Sequence, residues 1–314
     1  MSIPAAYLHH ADVQAMNARL DEVVALGARW VRTDANWSWI EPRQGAPDWS
    51  ELDALVSAAD ARGLDVLLVV GRMPEWARPA GTTELHGPSS AAERSLFADF
   101  TGRLATRYAA QVDAWEVWNE PNLDQFWAPS PDPANYAAVL RAAYPAIKSA
   151  DPATPVLIGG SGGASSGDID SVTWYRGVYA NGAQPYFDAA TMHPYQDWRA
   201  AASGHQNTGE MARVPAVRQI MTENGDGAKP MWGTEFGAPT SGSTATTEDG
   251  QRVVYTDGRD LWFSRESGVL FAYYGRDRAA YGASTSRSPY WGLMRSDGTL
   301  KPAYDALAAW IAAG

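Results

Sequence analysis

The chain has 314 residues, 45% of them hydrophobic and 19% charged, which are globular proportions at a length where α/β barrels run undivided. Its formal net charge of −11 disfavours nucleic acid and anionic membrane as partners and leaves neutral or cationic ligands. With no cysteine, disulfides, thiolate catalysis and cysteine-bound metals are excluded, and no stretch approaches the roughly 20 apolar residues of a membrane span.

Met1–His10 lacks the basic start and apolar core of a secretory signal, and Ala5–Leu8 is the candidate for a brief first strand. Val13, Met16, Leu20, Val23 and Val24 follow helical spacing, with Asp12 as N-cap and Gly27 as stop. Trp30–Thr33 reads as a strand. Leu52, Leu55, Val56 and Ala59 make the face of a helix that starts near Ser50 and ends at Gly63. Val66–Val70 is a continuous apolar run, as in a strand covered on both faces of a parallel sheet. A Pro/Gly-rich loop, Gly71–Ser90, precedes a helix over Ala91–Tyr108. Ala114–Trp118 is the next strand, followed by a helix over Asn135–Ala150 that Pro145 should kink. Val156–Ile158 is a strand that runs into the glycine-rich loop Gly159–Asp168. Then come a helix over Val172–Asn181, a strand over Phe187–His193, a helix over Val214–Glu223 and a strand over Pro230–Thr234. The polar loop Thr240–Gly250 leads to a helix ending near Ser267. Val269–Tyr274 is the last strand, Gly275–Pro289 a loop, and Pro302–Ala313 the closing helix.

Strand and helix alternate about eight times, with no linker composition anywhere, which predicts an α/β protein with a parallel sheet. Helix-to-strand joins such as Gly27–Arg29 and Arg62–Asp65 are tight, while the strand-to-helix joins are long. Function gathered in one set of loops is the arrangement of a (β/α)8 TIM barrel, here a single domain over 1–314. The rival, a doubly wound open sheet, would want a phosphate-binding glycine loop after its first strand. The run Gly159-Gly160-Ser161-Gly162-Gly163 follows a middle strand and lacks a Lys-Ser/Thr, so it reads as a flexible loop. His9 and His10 are adjacent, His86 and His205 fall in loops, and no His-Glu-x-x-His occurs, so no metal site is expected.

Two stretches carry the chemistry. Trp115–Asn122 reads Trp-Glu-Val-Trp-Asn-Glu-Pro-Asn, a strand that runs out beside Glu120. Strict alternation would put Glu116, Trp118 and Glu120 on one face. A carboxyl at a strand end walled by apolar rings is a candidate for a raised pKa. Pro230–Thr240, Pro-Met-Trp-Gly-Thr-Glu-Phe-Gly-Ala-Pro-Thr, likewise ends an apolar run in an acid, Glu235. Two carboxyls at separate strand ends suit a reaction needing one acid and one base or nucleophile. Glu116 would point into the barrel interior, where a lone charge is costly, so a cationic partner such as Arg32 is expected.

Asn-Glu-Pro at a fourth strand end and Thr-Glu-Phe-Gly at a seventh resemble the clan A retaining glycoside hydrolases, most closely family 39 and its relatives in compact single-barrel form. The resemblance covers most of the chain and implies Glu120 as acid/base and Glu235 as nucleophile. It also implies that Asn119 holds the sugar 2-hydroxyl and that Tyr195 lies near the nucleophile. The family normally has a clear first strand; here Ile3–Leu8 must supply it, or the barrel closes imperfectly. Arg32 is a second candidate donor to Glu235, and His193 a candidate to order Tyr195 or touch substrate. Trp37, Trp76, Trp127, Trp291 and Tyr273 are candidates for stacking on sugar rings, each with an equally ordinary use as loop-anchoring core. The expected partner is a carbohydrate, with no cofactor. A non-catalytic carbohydrate-binding barrel and a transglycosylase using the same glutamates are the alternatives.

Overall fold

The computed structural model describes residues 1–5, 8–9, 12–242, 245–266, 268–277 and 290–313. The expected loop Gly275–Pro289 lies outside the described residues from 278 onward, as do Ser267, His10 and part of Ala5–Leu8. Seven strands alternate with helices: β1 (Trp30–Asn36), β2 (Asp65–Gly71), β3 (Ala114–Val117), β4 (Val156–Ile158), β5 (Ala190–Met192), β6 (Met231–Phe236) and β7 (Leu270–Ala272). The main helices between them are α1 (Val13–Ala25), α2 (Trp37–Ile40), α3 (Ser50–Asp60), α4 (Ala91–Tyr108), α5 (Pro133–Ala150) and α6 (Ser171–Ala180). They continue as α7 (Trp198–Ala202), α8 (Val214–Glu223), α9 (Glu248–Val253), α10 (Arg259–Phe263) and α11 (Pro302–Ala312). The caps follow from sequence. Asp12 accepts from the Ala15 N–H at the start of α1, and Ser90 and Glu93 form a capping box on α4.

All strand pairs are parallel, in the orders β1-β2-β3-β4 and β5-β6-β7. Two further seams join these sheets into a ring. Between β4 and β5, the Asp188 N–H donates to Val156 O at 2.7 Å and the Ile158 N–H to Ala189 O at 3.2 Å. On the far side Met1–Ile3 fills the eighth place. The Arg32 N–H donates to Met1 O at 2.8 Å, the Ile3 N–H to Arg32 O at 2.8 Å and the Ser2 N–H to Ala272 O at 2.9 Å. The (β/α)8 barrel expected from the alternation is therefore the fold.

The first stave differs from its expected position. It is Met1–Ile3 rather than Ala5–Leu8, because Pro4 has no N–H to carry the ladder on. The Leu8 and His9 N–H groups both donate to Ala5 O, so they are bonded locally and not to a sheet ladder.

Side-chain alternation splits the strands between two cores. Leu67, Val69, Ala114, Leu157, Ala189, Trp232 and Phe271 fill the barrel. Val66, Leu68, Trp115, Val117, Val156 and Ile158 face outward under the helices. Above the apolar filling sit Arg32 and Glu116, and the site begins there.

Candidate active site

Arg32 and Glu116 are interior residues with 4% and 0% of their side chains exposed. Arg32 Nε donates to Glu116 Oε2 at 2.7 Å, and Nη2 to Glu116 Oε1 at 3.2 Å. The Gly160 N–H donates to Glu116 Oε1 at 2.8 Å. Glu116 thus has the cationic partner its burial demands. The remaining edge of the guanidinium faces upward. Nη1 donates to Glu235 Oε1 at 2.8 Å and Nη2 to Asn119 Oδ1 at 2.8 Å. One buried cation therefore fixes the bases of both chemistry-bearing stretches. Three nearby carboxylates outweigh the burial that would lower the Arg32 pKa, and raise it.

Each acid is aimed by an irregularity where its strand ends. Plain alternation in β6 would send Glu235 opposite to Thr234. A register shift lies between Gly233 and Phe236, and both Thr234 and Glu235 turn inward while Phe236 joins the outer core. A bulge that re-aims one side chain has this consequence. After β3, Trp118 has φ 70° and Glu120 φ 45°. This breaks the expected common face. Trp118 swings out to pack on Trp127 with ring centroids 5.1 Å apart and donates to Phe126 O at 2.8 Å, while Glu120 turns over the barrel mouth.

Glu120 and Glu235 meet at His193, which follows β5. His193 Nδ1 lies 2.9 Å from Glu120 Oε1 and 3.7 Å from Glu235 Oε2. Burial would lower the His193 pKa; the charges of Glu235 and Glu120 outweigh it and raise it above 6.5. Tyr195 Oη donates to Glu235 Oε2 at 2.9 Å. Burial, and then the charge of Glu235, push the phenol well above its ordinary value, so it stays a donor. The acids are 12% and 13% exposed and line a cleft of about 100 Å³ with Arg32, Asn119, Asp34, Arg72, Phe126 and Tyr273.

The aromatic candidates divide. Trp37 is fully buried, stacked on Phe100 at 5.0 Å with Nε1 donating to Glu41. Trp127 is 1% exposed between Trp118 and Tyr136. Trp76 packs edge-on against Trp37 and donates to Glu41 O at 2.8 Å. These three are structural anchors and do not line the cleft: Trp37 packs on α4, Trp127 on α5 and Trp76 on Trp37. Trp291 packs edge-on against Tyr195 at 5.3 Å and Tyr273 at 5.7 Å, bracing the aromatic wall beside Glu235. Tyr273 lines the cleft itself.

The glycine run is not merely a flexible loop. A Cβ on Gly162 would meet Glu120 Oε1 at 2.2 Å, and one on Gly160 would meet His193 Nε2 at 2.5 Å. The run lies under the acid because only a bare backbone fits there. Asn122 clamps it, donating to Gly162 O at 2.9 Å and accepting from the Gly162 N–H at 3.0 Å. Asp34, Arg72 and Phe126 line the cleft too, beyond the residues that the sequence singles out. The signal for Asp34 was its place two residues beyond Arg32 on the same strand face. Among the described residues no group of three or more His, Asp or Glu is arranged to hold a metal ion.

The solved structures with this architecture include a family 39 glycoside hydrolase from Bacteroides cellulosilyticus. It has a TM-score of 0.75 and 24% identity over 98% of this chain and 62% of that one. A GH5_18 protein from Streptomyces cattleya, in complex with Manb1-4GlcNAc, has a TM-score of 0.78 and 22% identity over 97% of this chain and 77% of that one. At such identities the likeness establishes the fold. Endo-1,4-beta-xylanase A from Phanerodontia chrysosporium is 30% identical over 115 residues, 36% of this chain and 28% of the xylanase. The chain thus matches under a third of that curated relative and spans 62% of the family 39 chain. The profile of Cellulase (glycosyl hydrolase family 5) matches residues 5–272. A match of that extent, on a closed barrel with an acid at the fourth and seventh strand ends, makes this chain a member of glycosyl hydrolase family 5, within clan A.

Proposed function

We propose that residues 1–314 act as one catalytic barrel, a retaining glycoside hydrolase that cleaves O-glycosidic bonds of a poly- or oligosaccharide by double displacement. The observation that carries this reading is the convergence of Glu120 and Glu235 on one nitrogen of His193, at 2.9 and 3.7 Å. Two oxygens so placed are separated by no more than the sum of those distances. That is at the short edge of the roughly 6.5–9.5 Å that inverting pairs keep open for a water.

The roles follow from the donors. Glu235 has one oxygen on Arg32 and the other on Tyr195, which orients the carboxylate and spreads its charge. It attacks the anomeric carbon and forms a glycosyl ester. Glu120 gives its proton to the departing oxygen as that C–O bond breaks. It then takes a proton from the water that attacks the anomeric carbon, and Glu235 leaves as carboxylate. Asn119 has its Oδ1 committed to Arg32, so its amide N–H2 is the group presented to the sugar 2-hydroxyl, where a bond strengthens in the transition state. Tyr273, braced by Trp291, offers the ring for stacking. The relatives named an endo-1,4-beta-xylanase and solved with Manb1-4GlcNAc favour a β-linked substrate.

The test is a screen of polysaccharides and aryl glycosides with both acid variants. Glu235→Ala should abolish turnover. Glu120→Ala should cripple it, least for activated aryl leaving groups that need no proton. Full activity in either variant overturns the reading.

A further inference from the structure

The cleft does not end at the two acids. A second, water-sized hollow of about 10 Å³ adjoins it, and Asp34, Arg72, Asn119 and Phe126 line both. Asn119 sits at the junction, so the extension lies on the side of the sugar whose 2-hydroxyl that residue faces. That assignment rests on the retaining-hydrolase reading. At the junction stands a pair of opposite charges, Asp34 and Arg72, neither hydrogen-bonded to Arg32. Asp34 is on the inward face of β1, and among the described residues its only hydrogen bond is from the Ala5 N–H to Oδ2 at 3.2 Å. Its Oδ1 has no partner among the described residues and can accept. Arg72 is the first residue after β2 and has φ 64°, a left-handed backbone that non-glycine residues adopt at a cost, most often at functional positions. It is 30% exposed in the cleft. Its Nη1 donates to Glu84 at 2.7 Å, and its other N–H groups have no partner among the described residues.

We propose that Asp34 and Arg72 determine the glycone, reading adjacent hydroxyls of a neutral sugar unit. A sugar hydroxyl is both donor and acceptor. A carboxylate accepts from one hydroxyl and a guanidinium donates to its neighbour, which is the complement of a vicinal diol. The charge balance selects against an acidic sugar. A uronate carboxylate here would face Asp34, Glu120 and Glu235, and Glu84 behind Arg72. Arg32, the other arginine lining the cleft among the described residues, already bonds Glu116 and Glu235, and His193 already faces Glu120 and Glu235. Like charges in a confined cleft reject a ligand as effectively as a missing contact.

The experiment compares wild type, Asp34→Asn and Arg72→Gln on 4-nitrophenyl glycosides of neutral sugars, their mono-deoxy analogues and the matching uronides. Each variant should lose about 100-fold in kcat/KM on the best neutral glycoside, yet only about threefold on the analogue lacking the hydroxyl it reads. Wild type should disfavour the uronide, and Asp34→Asn should narrow that gap. Equal losses on parent and deoxy substrates, or a wild-type preference for the uronide, overturn the proposal. The same glycosides are titrated calorimetrically into Glu235→Ala, with and without Asp34→Asn. Binding that discriminates, in a protein whose wild type turns over nothing, sinks the hydrolase reading and keeps this one. Turnover without discrimination does the reverse. Neither turnover nor binding overturns both.

Discussion

Arg32→Met removes the cation on which the site is built, at nearly constant volume. In the variant Glu116 stays fully buried and keeps only the Gly160 N–H at 2.8 Å and the Thr234 hydroxyl at 3.4 Å. Breaking one side of a buried ion pair costs about 3–5 kcal/mol, because the survivor is desolvated without its counter-charge. Unfolding entropy is about 2.1 cal/mol/K per residue, so 314 residues carry about 0.66 kcal/mol/K if the barrel melts as one cooperative unit. The melting temperature should therefore fall by about 5–8 °C. A second substitution, Glu116→Gln, removes the stranded charge but still accepts from Gly160. The double variant should recover most of the loss, since the cost lies in the unpaired charge and not in lost packing. Differential scanning calorimetry of wild type, both singles and the double closes the cycle. An Arg32→Met protein that melts within about 1 °C of wild type, or a double variant less stable than that single, refutes the reasoning.

Two further perturbations bear on the junction of the acids. The raised pKa of His193 means that its ion pairs stabilise the fold fully below pH 6.5 and stop doing so as the pH rises through the higher folded value. Melting temperature should fall across that window in wild type, and the fall should be absent in His193→Gln. Gly162→Ala places a methyl group 2.2 Å from Glu120 Oε1. The acid must shift by about 1 Å, which should lower kcat about 100-fold while melting temperature changes little. Steady-state kinetics beside calorimetry separates that outcome from simple unfolding.

The alternation of period-two and period-3.6 segments, with the long joins all on the strand-to-helix side, was enough to give the barrel. It was also enough to place Glu120 and Glu235 at the mouth, because parallel strands linked by helices put every strand's C-terminal end on one face. Local chemistry also set the caps and the interior placing of Glu116. Where alternation is broken, local reading failed. The bulge that turns Glu235 inward and the left-handed residues at Trp118 and Glu120 depend on pairing with other strands, which a single segment does not encode. Burial was illegible for the same reason. Trp37, Trp127 and Trp291 have one chemistry, and the first two enter the core only through tertiary packing on α4 and α5. The meeting of Arg32, Asn119, His193 and Tyr195 around two distant glutamates is likewise tertiary. Closing the ring brings together side chains up to 203 residues apart, and their electrostatic value exists only once water has been excluded between them.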